Sequence, residues 1–139
     1  MADSRGHLVF ACGESLYAVP ADSAQEVVNL PPLTRVPGAP SHLLGVFAHR
    51  GEVLPVIDLA MLTGTKVDAA MKRAVLVRVA RGGLALTATR VAGVSILQGP
   101  FDSLGASGVQ AHLRGPATAP AGQVAVIEPE GLFEFLARG

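Results

Sequence analysis

Apolar residues come in short runs separated by glycine, proline and charged turns, roughly every 6 to 12 residues, which is the rhythm of short strands. His7 to Cys12 is a β-rich run, Gly13-Glu14 a turn, and Leu16 to Val19 a second run, so the first two form a hairpin. Gln25 to Leu30 reads either as a third strand or as the end of a short helical turn capped by Asp22 or Ser23. Pro31, Pro32, Pro37 and Pro40 stiffen the following stretch into an extended loop. Leu43 to His49 and Val53 to Asp58 flank Arg50-Gly51-Glu52 as another hairpin, after which the chain pauses from Gly64 to Met71. Ala74 to Val79, the turn Arg81-Gly82-Gly83 and a return strand from Leu84 to Val91 repeat the pattern. Gly93 to Leu97 is short and apolar, Gln98 to Gly108 is loop-like, and Gln123 to Ile127 is the last strand. Leu132, Phe133, Phe135 and Leu136 are spaced as one face of a terminal helix.

The second half overlays the first without a gap at an offset of 70 residues. Gly13 meets Gly83, Leu16 meets Leu86, His42-Leu43 meets His112-Leu113, Gly45 meets Gly115, and Val56-Ile57 meets Val126-Ile127. Their order favours a structural duplication. The expected architecture is all-β, with one domain over residues 7–137. It comprises two packed five-stranded barrels, at 7–70 and 71–137, with strand exchange between them left open. Barrels of about 65 residues have thin cores. They should bury a shared apolar seam, and that seam is a natural place for a partner.

Composition narrows the function classes. Half of the 139 residues are hydrophobic, enough to build a core and exclude wholesale disorder. The 11 basic and 11 acidic residues balance, leaving no excess positive charge to track a phosphate backbone, and aromatics are too scarce for base-stacking platforms. The polar start, Met1 to His7, lacks a signal-peptide core, and no apolar run reaches membrane-spanning length, so the expected compartment is the cytoplasm without membrane insertion. The single cysteine, Cys12, reads as a buried inert thiol. His7, His42, His49 and His112 lack metal-ligand spacing. Phosphate-binding loops and a nucleophile elbow are missing. The expectation is a binding module with no catalytic residues, metal or cofactor.

The informative stretch runs from Tyr17 to Leu62. It carries Ala24-Gln25-Glu26-Val27, then Val36-Pro37, Gly45-Val46, Arg50-Gly51 and Pro55-Val56-Ile57-Asp58-Leu59. In order and spacing these motifs resemble the CheW-like family of bacterial chemotaxis scaffolds. Val91-Ala92-Gly93-Val94 and Leu113-Arg114-Gly115 fit the later family segments. The resemblance implies two SH3-like barrels and no catalysis. It implies two partners: the cytoplasmic domain of a chemoreceptor and the regulatory domain of a CheA-type histidine kinase. The chain departs from the family at Ala48-His49, Ala88-Thr89 and Ile127-Glu128-Pro129, and its Gln98 to Gly108 loop is short. Those departures imply an alternative, a one-sided adaptor that binds receptor but not kinase. A small β-barrel binding a ligand or nucleic acid is the further alternative.

The residues implied in partner binding are Ala24, Glu26, Val27, Gly45, Arg50 and Gly51. Arg50 is either a turn arginine, solvated or paired with a nearby carboxylate, or, by resemblance, a receptor-contacting residue at the seam. By resemblance Glu26 lies near the kinase-facing surface, with Ala24 and Val27 as a small apolar patch beside it; core filling is the other reading of Val27. Gly51 suits positive φ in the turn. Gly45 permits close backbone approach, to the other barrel or to a docked helix. Asp58 caps the turn that begins at Leu59.

Overall fold

The computed structural model describes residues 2–65 and 71–138, with side chains from Arg5 onward. Most of the expected pause from Gly64 to Met71 therefore lies outside the described residues. Among the described residues, ten strands, two α-helices and one 3-10 turn follow in order. They are β1 (Ala2–Cys12), β2 (Ser15–Pro20), β3 (Ala24–Asn29), β4 (Leu43–His49), β5 (Glu52–Ile57), α1 (Leu59–Thr63), β6 (Arg73–Val79), β7 (Gly82–Ala88), β8 (Arg90–Gln98), the 3-10 turn (Val109–His112), β9 (Leu113–Ala119), β10 (Gly122–Ile127) and α2 (Pro129–Ala137).

The strands form two five-stranded SH3-like units. The first is a closed barrel in the order β1-β2-β10-β9-β8. The second is a sheet in the order β3-β6-β7-β5-β4. Each takes strands from both sides of residue 70, so a cut there coincides with neither unit, and strand exchange is the organising feature. The chain crosses once between β2 and β3 and returns between β7 and β8. Parallel pairing of β10 with β2 and of β5 with β7 joins the exchanged strands to their hosts.

The two units are the same motif twice. β4, β5 and the start of α1 recur as β9, β10 and the start of α2 at an offset of 70. Even single hydrogen bonds repeat: Asp58 N–H donates to the His42 carbonyl, and Glu128 N–H to the His112 carbonyl. One difference lies in how the two units close. β8 and β9 pair at Gln98 and Thr118 and close the first barrel. Their counterparts β3 and β4 do not pair. That gap is crossed by the proline-rich loop, where Thr34 bridges Val46, and it is filled by Leu30 and Leu33 packing with Leu44 and Phe47.

Three apolar clusters build the core. Val9, Ala18, Leu97, Ala117, Val124 and Val126 fill the closed barrel. Leu54, Val56, Ala74, Leu76 and Ala85 fill the second unit. The largest cluster lies between the two, with Phe10, Tyr17 and Val19 facing Val75, Val77, Leu84 and Leu86, and with Leu59 of α1 and Leu132 of α2 at its ends. Successive strand residues point to opposite faces, so β1, β2, β6 and β7 are buried on both sides. That is why these strands read as unbroken apolar runs. The seam expected to admit a partner is thus packed with the chain's own side chains, and only its ends reach the surface.

Of the two readings left open for Gln25 to Leu30, the structure has the strand, and two other strand readings change. The return strand from Leu84 ends at Ala88, and Val91 belongs to β8 in the other barrel. β9 was not expected at all.

Candidate interaction surface

Glu26 on β3 sits opposite the β4–β5 turn. Its Oε1 accepts from His49 Nε2 at 3.1 Å, and the Arg50 guanidinium lies 3.3 Å from the same oxygen. These contacts span the gap where backbone pairing between β3 and β4 is missing. Arg50 reaches Glu26 from a left-handed conformation (φ 52°), followed by Gly51 at φ 80°. Two consecutive positive φ angles make the tight hairpin turn that glycine at the second position favours. Arg50 remains mostly exposed, whereas His49 is largely covered and meets Phe47 edge-on. The geometry joins what the motifs had assigned to two surfaces, because Glu26 and Arg50 form one ion-paired unit.

The other four residues divide by role. Ala24 and Val27 are half-buried and pack against the seam cluster. Gly45 is buried at φ 156°, where a Cβ would lie 2.7 Å from the Thr34 carbonyl oxygen. Its close approach is therefore to the chain's own proline-rich loop, not to the other barrel or a docked helix. Gly51 has open space around it and serves the turn. Asp58 caps α1, its Oδ1 accepting from Ala60 N–H at 3.0 Å and Met61 N–H at 3.3 Å.

The motifs missed a neighbouring feature. On β8, Val94 and Ile96 are 63% and 52% exposed, unusual for β-branched residues in a closed barrel. Val94 stands opposite Leu8, a member of the seam cluster, and Ile96 stands opposite Gly6, which has no side chain to cover it. Gly6 also touches the crossover: its carbonyl accepts from Ala21 N–H at 2.9 Å. Here the apolar seam emerges at the surface, three residues before β3 begins. Two β-branched residues spaced by two in the short apolar run from Gly93 to Leu97 were the available signal, but sequence alone did not say which face is outward.

Other charged pairs brace the fold. Arg78 on β6 pairs with Glu52 on β5 across β7, where the absent side chain of Gly83 leaves room for the guanidinium. That ion pair holds the Glu52 carboxyl below the usual carboxylate range. Thr89, at the return crossover, donates to the Ala11 carbonyl at 3.0 Å and accepts from Gly13 N–H at 3.1 Å. Among the described residues, no group of three or more His, Cys, Asp or Glu is placed to hold a metal ion. No helix among them is long and apolar enough to cross a membrane.

Comparison with known proteins agrees with this architecture. The CheW-like domain model matches residues 6–135. The protein FrzA of Myxococcus xanthus is 46% identical over 50 residues, which cover 36% of this chain and 31% of FrzA. The chemotaxis protein CheW of Helicobacter pylori is 41% identical over 59 residues, covering 42% of this chain and 36% of that protein. These matches thus span about a third of each relative's length. The crystal structure of the scaffolding protein TtCheW from Thermoanaerobacter tengcongensis superposes with a TM-score of 0.75 at 24% identity, over 88% of both chains, and shares the fold. With the family model covering nearly the whole chain, this protein belongs to the CheW-like domain family.

Proposed function

We propose that the chain is a non-enzymatic cytoplasmic scaffold that couples the cytoplasmic domain of a chemoreceptor to the regulatory domain of a CheA-type histidine kinase. The observation that carries this reading is the surface where β3 and β8 leave the seam. Val94 and Ile96 are exposed there, and the crossover at Ala21, hydrogen-bonded to Gly6, leads along the chain into β3, which carries the ion-paired Glu26. An apolar centre with a charged rim is the usual anatomy of a specific protein interface. A receptor tip built from helices would place its apolar side on Val94 and Ile96, and Arg50 would supply the rim charge.

Titration calorimetry with the receptor fragment and the kinase regulatory domain, measured separately, tests the proposal. Val94→Glu should weaken one of the two by about tenfold or more, as expected for an apolar anchor. Arg50→Glu should weaken receptor binding while the circular dichroism spectrum stays unchanged. Wild-type protein that binds neither fragment would overturn the coupling role.

One observation favours the one-sided version. At Thr89, where the family carries an aspartate, the hydroxyl is engaged inside the fold by Ala11 and Gly13 and offers no charge to a partner. In that version the kinase domain binds more weakly than the receptor. Kinase affinity equal to or tighter than receptor affinity would restore ordinary two-sided coupling.

A further inference from the structure

The duplication provides an internal control for each of its parts, and the two helices differ most. α1 is held by short-range hydrogen bonds. Asp58 caps its first turn, the Thr63 hydroxyl donates to the Leu59 carbonyl at 2.8 Å, and it also meets the Tyr17 hydroxyl at 3.1 Å. Gly64 closes its C-terminus in the left-handed region. Among the described residues, no ion pair is involved.

α2 lacks those devices. Glu128, in the position of Asp58, makes no capping hydrogen bond, and its carboxylate turns to Arg114 at 2.9 Å. The first turn is secured by Leu132, 1% exposed, and by the Glu128 N–H to His112 carbonyl bond. α2 is also tied to the β6–β7 turn of the other unit by charged groups, Glu130 in its first turn and Glu134 beyond Leu132, while Phe133, Phe135 and Leu136 pack on the seam cluster. Both Glu130 carboxylate oxygens accept from Ala80 N–H, at 3.0 and 3.2 Å. Arg81 pairs with Glu134 at 2.6 Å and lies over the Phe133 ring, 5.8 Å from its centroid. Arg81 and Glu134 are both substantially solvent-exposed.

Beneath α2 lies an apolar cleft of about 230 Å³ with Leu43, Ile57 and Leu84 on its floor and Phe133 and Leu136 on the helix side. The equivalent cleft beside α1 is mixed in character: Leu113 and Ala125 remain apolar, but Glu14 stands where Leu84 does, and Thr63 where Phe133 does. The fold tolerates polar residues at these two positions, so their apolar character is particular to the α2 side. Unfilled space removes packing that would otherwise hold the helix down.

We propose that α2 is an ionically latched strap, anchored at Leu132, whose C-terminal half swings away from the β6–β7 turn to uncover the apolar cleft. Ions screen exposed charge pairs but leave buried hydrogen bonds and apolar contacts largely intact. Opening therefore responds to ionic strength at α2 and not at α1. The inference is independent of which partner the scaffold binds.

Amide hydrogen exchange on the full chain, read by mass spectrometry at low and high sodium chloride, tests it. In the wild type, amides of Phe133 to Ala137 should exchange about two- to fivefold faster at high salt, the range an exposed ion pair supports. Glu134→Gln should show the faster rate already at low salt and lose the salt response. Arg81→Lys, which keeps the charge, should retain part of it. Amides of Met61 to Thr63 in α1 serve as the control and should not respond to salt. Salt-independent exchange at α2 in the wild type would overturn the latch. So would acceleration of α1 and α2 together, which signals general loosening.

Discussion

Gly45 shows how much one missing side chain controls. It lets the proline-rich loop lie against β4, and the loop in turn plugs the gap between β3 and β4. Gly45→Ala forces a Cβ into the Thr34 carbonyl and should cost about 1–3 kcal/mol. Gly38→Ala, also at positive φ but with nothing nearby, should cost less; paired urea melts decide the order. Cys12 is controlled by its surroundings in the opposite sense. Burial first, and the nearby Asp58 charge second, push its thiol up to about 12, and Sγ–H donates to the Thr87 carbonyl. With so little thiolate, Cys12 should resist a thiol-reactive dye at pH 8 in the native state and react fully in denaturant. The turn role of Gly51 and the capping role of Asp58 were legible in the sequence because each depends on neighbours a few residues away. The contact of Glu26 with His49 and Arg50 was not, since it needs the two edge strands brought face to face.

Among the elements, legibility followed side-chain size. The hairpins β1–β2 and β4–β5 and the helix α2 carry large apolar residues at the spacing their structures require. β9 alternates inward Leu113, Gly115, Ala117 and Ala119 with outward Arg114, Pro116 and Thr118. Its inward residues after Leu113 are small, and Gly115-Pro116 carries a turn signature, so the period of two carried almost no hydrophobic signal. The β7–β8 boundary was hidden for another reason. Apolar residues flank the crossover at Thr89 on both sides, because β7 is buried in one unit and the start of β8 packs on the seam. The helix caps allow a direct comparison. Asp58→Ala should lower stability by about 1 kcal/mol through loss of the α1 cap. Glu128→Ala should act only through Arg114, and a double-mutant cycle with Arg114→Ala should account for its full effect.

At the scale of the molecule, the seam makes the two units one cooperative body. Phe10 is fully buried in it, and Phe10→Ala should cost about 3–5 kcal/mol. Thermal melting should remain a single transition shifted to lower temperature, with far-ultraviolet and near-ultraviolet probes coincident. Two separated transitions would mean that the units melt independently. Strand exchange sharpens the same point. A fragment of residues 1–70 lacks β8, β9 and β10 of the closed barrel and β6 and β7 of the second unit, so it should not fold. The duplication itself was visible as an offset of 70, yet the cut it suggested fell in the wrong place. Sequence overlay detects which segments are equivalent, and strand pairing decides which belong together.

The parallel pairing of β2 with β10 also bears on how the protein is made. Leu16 pairs with Val124 and Ala18 with Val126, so β2 must wait until the chain has been made through to β10. Until then β2 presents an unpaired edge, and β1 lacks its other neighbour, β8. Closing so long a loop is slow, and bare strand edges invite association with other nascent chains. The second unit has all its strands once β7 has emerged, so during translation it should form first and hold the incomplete barrel against the seam.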